Sequence, residues 1–138
     1  MKKVIAITGL GGIGLACARR IGVGFKMVLG DSNKGQLKKV ARDLTKAGYD
    51  VTPVLLDICS KESVDTFVNV AAWEGELAAV VHTAGISPTM GNAAQIMEIN
   101  LIGTARLMEA FEPHVSWGTT GIFISSNSAY LGRPLTGG

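Results

Sequence analysis

Hydrophobic positions alternate along this chain between two rhythms. Apolar runs at Val4–Ile7, Met27–Leu29, Val51–Leu56 and Leu77–Val81, with a fifth from Gly121 to Ser125, predict strands buried on both faces. Between them the spacing turns helical. Leu15, Ala16, Ala18 and Ile21 suit a helix lying back on the first strand. Leu37, Val40, Ala41 and Leu44 repeat at i, i+3, i+4 and i+7 within residues 33–47, closed by Gly48, and Val64, Phe67, Val68 and Ala71 repeat it after the helix start Ser60-Lys61-Glu62-Ser63. A long helix is predicted from about Ala93 to Glu112, ahead of Pro113. It carries Ile96, Ile99, Gly103, Leu107 and Ala110 on one stripe and Met97, Leu101, Met108 and Phe111 on another. That is more apolar surface than one contact with a sheet buries, so one stripe is expected to face a partner and make a homo-oligomer.

Strand and helix in strict alternation imply a doubly wound α/β fold of Rossmann type, a parallel sheet with helices on both faces. The expected strand order is 3-2-1-4-5, cut off after the fifth strand. Residues 1–138 read as one domain, with no linker, repeat or low-complexity segment. Ligands of such sheets bind across the carboxyl ends of the strands.

The first strand breaks into Thr8-Gly9-Leu10-Gly11-Gly12-Ile13-Gly14 before the first helix pattern begins. Gly9, Gly11 and Gly14 fit G-x-G-x-x-G: a tight turn, a close approach of backbone to a pyrophosphate, and close packing of helix on strand. Glycines also gather in turns that bind nothing, but here the motif follows a strand, opens a helix, and precedes a second strand ending in Asp31. An acid about 20 positions beyond the glycines is placed to bond a ribose 2′-OH. The anion would sit on free N–H groups at the helix N-terminus.

Composition narrows the partners. The chain is 47% hydrophobic and 17% charged with a formal net charge of +2, which implies neither disorder nor nucleic acid. Lys38, Lys39, Arg42 and Lys46 lie off the apolar stripe of the second helix and read as a solvated face. The two cysteines, Cys17 and Cys59, lack metal-ligand spacing and read as reduced thiols, so no metal is expected. The apolar run after Met1-Lys2-Lys3 stops at Thr8-Gly9, short of the ~7 to 15 residues of a signal peptide, and no later run reaches the length of about 20 of a membrane span. The expectation is a soluble, cytoplasmic protein.

Together these residues resemble the short-chain dehydrogenase/reductase family, whose members transfer hydride between a nicotinamide cofactor and a carbonyl or alcohol. The resemblance runs the length of the chain. Thr8 to Gly14 is similar to the family's Thr-Gly-x-x-x-Gly-x-Gly loop, one residue shorter between Gly9 and the pair Gly12 and Gly14, which implies a tighter path. By this resemblance Thr8, Gly9, Gly11, Gly12, Ile13, Gly14 and Asp31 contact the cofactor. Asp57, with the N–H of Ile58, would hold the adenine, although an Asp ending a strand is also an ordinary turn residue. His82-Thr83-Ala84-Gly85 resembles Asn-Asn-Ala-Gly, with both asparagines replaced. Ala84 and Gly85 would bring backbone to the cofactor ribose, while the side-chain tie of the asparagine has no evident substitute. His82 reads first as a hydrogen-bonded structural histidine.

Asn100-Leu101-Ile102-Gly103 matches Asn-x-x-Gly, where the Asn holds a water in a proton relay; a local backbone bond is the alternative. Ser126, after Ile124-Ser125, matches the serine that orients the substrate carbonyl. The family's Tyr-x-x-x-Lys pair has no counterpart in these residues, since Tyr130 is followed four residues on by Pro134. Three readings compete: an NAD(P)-dependent oxidoreductase in shortened form, a non-catalytic NAD-binding or sensing protein, and an inactive fragment. Asp31 implies NAD in preference to NADP, because its carboxylate repels a 2′-phosphate, with Lys34 softening the effect.

Overall fold

The computed structural model describes residues 3–83, 93–116 and 118–123, giving the backbone alone at 12, 13, 93–101, 122 and 123. The elements run β1 (Lys3–Thr8), α1 (Gly12–Ile21), β2 (Lys26–Asp31), α2 (Lys34–Lys46), β3 (Asp50–Leu55), α3 (Lys61–Glu74), β4 (Glu76–His82), α4 (Ala93–Phe111) and β5 (Thr120–Phe123), with a 3-10 turn at Glu112–His114. All strand pairs are parallel, and the sheet order is β3-β2-β1-β4-β5. The expected topology is therefore the observed one.

Alternation of side chains across the strands divides the core into two layers. Val4, Ala6, Val28 and Val80 point to the side of α3 and α4, where Phe67, Val68, Leu107 and Phe111 cover them. Ile5, Ile7, Leu29 and Val81 point the other way, under Leu10, Ala18, Leu37, Val40 and Leu44. Gly30 makes room for the largest of these side chains. A Cβ there would lie 2.7 Å from the Phe67 ring, which in turn meets Phe111 edge to face with centroids 6.2 Å apart.

Local chemistry fixes the helix ends. Asn33 caps α2 by accepting from the Gln36 N–H at 3.0 Å, and Ser60 caps α3 by accepting from Ser63 at 3.2 Å. Beyond α2 the chain reverses through Gly48 at φ +98°, where glycine avoids the Cβ penalty. The strand pairings align the carboxyl ends: Thr8 lies beside Gly30 and His82, and Asp31 beside Leu55.

β3 is the edge strand that the expected order 3-2-1-4-5 makes it, and its residues are only partly covered rather than buried on both faces, with Leu55 54% exposed; Pro53, lacking an N–H, sits where a free edge tolerates it. The second expected stripe of α4 does not form one surface: Phe111 is buried against Phe67, whereas Met108 is 52% exposed. Ile102, which neither stripe includes, is 46% exposed. The α4 pattern spans more than one face because α3 covers it as well as the sheet.

Candidate functional site

The glycine loop lies at the carboxyl end of β1, in the middle of the sheet. Gly9 adopts φ +85°, turning the chain out of the strand. Gly11 is the N-cap of α1 in an extended conformation, and a Cβ built there meets nothing within 4 Å. Gly14 is the opposite case: its Cβ would fall 1.8 Å from the Gly9 carbonyl oxygen and 2.8 Å from Thr83 Oγ1. Helix and strand thus meet at Gly14, while the space over Gly11 is open. Gly12 and Ile13 form the first turn of α1, whose N–H groups a helix leaves without internal acceptors and whose dipole end is positive.

The ends of β2 and β4, with α2, reach this loop. Asp31 Oδ2 accepts from the Leu10 N–H at 2.7 Å, and Oδ1 accepts from the Asn33 N–H at 2.8 Å. Gln36 Nε2 donates to the Leu10 carbonyl at 3.0 Å. From β4, the Thr83 hydroxyl lies 2.7 Å from the Thr8 carbonyl and 2.9 Å from that of Gly9, and the Thr83 N–H donates to Thr8 at 2.8 Å. The threonine supplies a side-chain tie in the position of the resembled asparagine. His82 is buried; Nδ1 pairs with Thr8 Oγ1 and Nε2 with Thr104 Oγ1 at 3.0 Å. Burial pushes its pKa below the ordinary value of 6.5 and favours the neutral ring, one nitrogen donating and the other accepting.

At the end of β3, Asp57 Oδ1 accepts from the Cys59 N–H at 2.9 Å, and Ser63 Oγ accepts from the Asp57 N–H at 2.8 Å. The next residue anchors this turn to α4: a Cβ on Gly103 would sit 2.6 Å from Ile58 Cγ1, and Arg106 Nη1 donates to the Cys59 carbonyl at 2.6 Å. Gly103 is accordingly explained by packing. Asn100 belongs to α4, with its backbone alone described. Ala84, Gly85 and Ser126 lie outside the described residues. Thr8, Gly9, Gly11, Asp31, Asp57 and Ile58 stand at the carboxyl ends of the strands or in the turns that follow them, and Gly14 stands in the first turn of α1.

Sequence reasoning passed over Gln36, Thr104 and Arg106. Gln36 sits one position before the apolar stripe of α2, and nothing local marks its reach to a loop 26 residues away. An open depression of about 360 Å³ lies elsewhere, between Gly22–Phe25 and Ala47–Asp50 at the amino ends of β2 and β3. Beside it Lys26 pairs with Asp50 at 2.8 Å and Glu74 at 3.7 Å, joining two strands to α3. The Asp50 carboxylate raises the lysine pKa, chiefly by its hydrogen bond. This end lacks the glycine loop and the helix N-terminus, so the carboxyl end is the candidate site. No helix among the described residues is long and apolar enough to cross a membrane.

A family model for short chain dehydrogenases matches residues 3–137, and the chain belongs to the short-chain dehydrogenase/reductase family. It is 34% identical over 129 residues to the short-chain dehydrogenase/reductase bsc3 of Alternaria brassicicola, covering 94% of this chain and 47% of that protein. Among solved structures it is similar to a short-chain dehydrogenase/reductase from Burkholderia phymatum in complex with NAD, at 28% identity and a TM-score of 0.73, over 83% of this chain and 44% of that one. An alcohol dehydrogenase from the archaeon Thermococcus sibiricus, complexed with 5-hydroxy-NADP, is 31% identical with a TM-score of 0.70, over 81% and 52% of the two chains. The chain spans about half the length of the curated relatives it matches.

Proposed function

We propose that residues 1–138 form the cofactor-binding domain of an oxidoreductase that takes NAD(H) and a small carbonyl or alcohol. The observation that carries this reading is the glycine loop itself: an open approach over Gly11 at the N-terminus of α1, beside the Asp31 carboxylate. These features fit a dinucleotide, since the helix end takes the diphosphate and the acid takes the adenosine ribose. Asp57 and the Ile58 N–H would flank the adenine, and Ala84 and Gly85 the second ribose. When bound, the nicotinamide ring supplies or accepts the hydride. Asn100 and Ser126 are proposed on the family resemblance as the groups that hold a relay water and orient the substrate oxygen.

Asp31 already accepts two backbone N–H bonds, one on each oxygen. A carboxylate has about four acceptor positions, so capacity remains for a ribose hydroxyl. A 2′-phosphate at the same place meets like charge in a half-buried setting, worth about tenfold or more in affinity after screening. Fluorescence titration with NADH and NADPH tests the assignment. Tighter NADH binding is expected, and equal or tighter NADPH binding refutes the role given to Asp31. We further propose that the chain self-associates through α4, whose outward face carries Ile102 and Met108.

A further inference from the structure

Resting on that nicotinamide reading, we infer that Thr83 and Gln36 are positioning residues that turn the Thr8, Gly9 and Leu10 carbonyls of the shortened loop away from the diphosphate, leaving it a face of donors. Each carbonyl from Thr8 to Gly11 is hydrogen-bonded. Thr8 receives the Thr83 N–H and, with Gly9, shares the Thr83 hydroxyl proton, at 2.8, 2.7 and 2.9 Å. Leu10 receives Gln36 Nε2 at 3.0 Å, and Gly11 receives the Leu15 N–H at 2.9 Å. Only the last of these bonds belongs to ordinary helix geometry. The others reach the loop from β4 and α2, elements it does not adjoin in sequence.

The chemistry explains why this arrangement matters for an anion. A carbonyl oxygen carries partial negative charge and, when rotated toward a phosphate, opposes the N–H groups and the helix dipole that attract it. A peptide in a tight glycine turn has little steric resistance to such rotation, because glycine adopts φ of either sign at similar cost. Side-chain donors behind the loop hold the peptide planes in one sense before the ligand arrives, and preorganisation of this kind enters affinity directly. Asp31 completes the frame by fixing the Leu10 N–H from the other side of the same residue.

The test uses the intact chain with Thr83→Val, Thr83→Ser and Gln36→Met. NADH affinity is read by nicotinamide fluorescence, ADP-ribose and adenosine affinity by NMR titration, and loop order by amide hydrogen exchange over residues 9–14 without ligand. Thr83→Val and Gln36→Met are each expected to weaken NADH and ADP-ribose about tenfold, the effect of one lost bond and an orphaned carbonyl. Adenosine, which carries no phosphate, should change less than about twofold on this account. Thr83→Ser keeps the hydroxyl and is expected to restore both affinity and exchange protection. Unchanged NADH binding in Thr83→Val and Gln36→Met, or equal losses for ADP-ribose and adenosine, overturns the inference. If the wild-type chain binds no NADH, the nicotinamide reading fails; the clamp then stands if the two apolar variants speed loop exchange and falls if they do not.

Discussion

Alanine at Gly11 and at Gly14 should separate a binding role from a packing role within one loop. At Gly14 the added methyl falls 1.8 Å from a backbone oxygen and must move beyond about 3.0 Å, so α1 and the end of β1 separate by at least about 1.2 Å. Overpacking against backbone costs about 3 kcal/mol, and alanine returns about 1 kcal/mol of helix propensity, for a net loss near 2 kcal/mol. With a urea dependence of about 2 kcal/mol per molar, the unfolding midpoint falls by about 1 M. At Gly11 the methyl meets nothing, and φ −71° suits any residue. Losing a glycine N-cap costs up to about 1 kcal/mol, while a stiffer unfolded chain returns about 0.4–1 kcal/mol, so stability should change little. The same methyl occupies the approach to the helix N-terminus, and NADH affinity should fall by about a hundredfold or more as phosphate loses its contact with backbone. Urea titration and NADH fluorescence on both variants make the comparison. A Gly11→Ala protein that binds NADH as wild type does would refute the placement of the diphosphate.

Three further outcomes are expected. His82 has a folded pKa below 6.5, so the unfolded chain binds the extra proton first as pH falls; stability contributed by the neutral ring is complete above about 6.5 and declines below it, by up to about 1.4 kcal/mol per pH unit until the folded ring titrates. His82→Gln should remove that slope between wild-type and variant urea midpoints measured from pH 5 to 8, and parallel curves would contradict it. Light scattering at high concentration should show association that Ile102→Glu or Met108→Glu abolishes, whereas a monodisperse wild-type monomer would remove the α4 interface. The 138-residue polypeptide should show no carbonyl turnover in an NADH absorbance assay, because an acid of tuned pKa contributes about 10²- to 10⁴-fold and Tyr130 has Pro134 at the spacing where the family has lysine; turnover lost in Ser126→Ala would reveal a complete site of another kind.

The elements were legible because the strands that matter are buried on both sides, where continuous Val, Ile and Leu leave little ambiguity with solvent-facing patterns. β1, β2 and β4 fall within one or two residues of their apolar runs. β3 lies at the edge, as the expected order requires, and Pro53 is the local sign that its N–H side faces no neighbour. The glycine spacing was legible because Gly9 and Gly14 answer constraints that no other residue meets as cheaply, a positive φ and a close backbone contact. Side-chain ties were not. Thr83 and Gly9 are 74 residues apart, and Arg106 and Cys59 are 47 apart. Such pairs exist only after the sheet has assembled, and neither partner carries a periodic signal of its own.

The two residues replacing the paired asparagines illustrate how topology sets the chemistry required at each position. Consecutive residues at a strand end point to opposite faces of the sheet. His82 therefore meets α4 through Thr104, on one layer, while Thr83 meets α1 and the glycine loop on the other. Each side asks for something different. The loop side presents carbonyl oxygens and needs a donor, which a hydroxyl supplies in less space than an amide; with the Gly14 Cβ position only 2.8 Å from Thr83 Oγ1, little room is left. The α4 side presents hydroxyls on both Thr8 and Thr104, and a neutral imidazole donates from one nitrogen while accepting at the other, spanning the two in one ring. A motif that departs from the family at both letters thus retains a polar link from β4 to each layer.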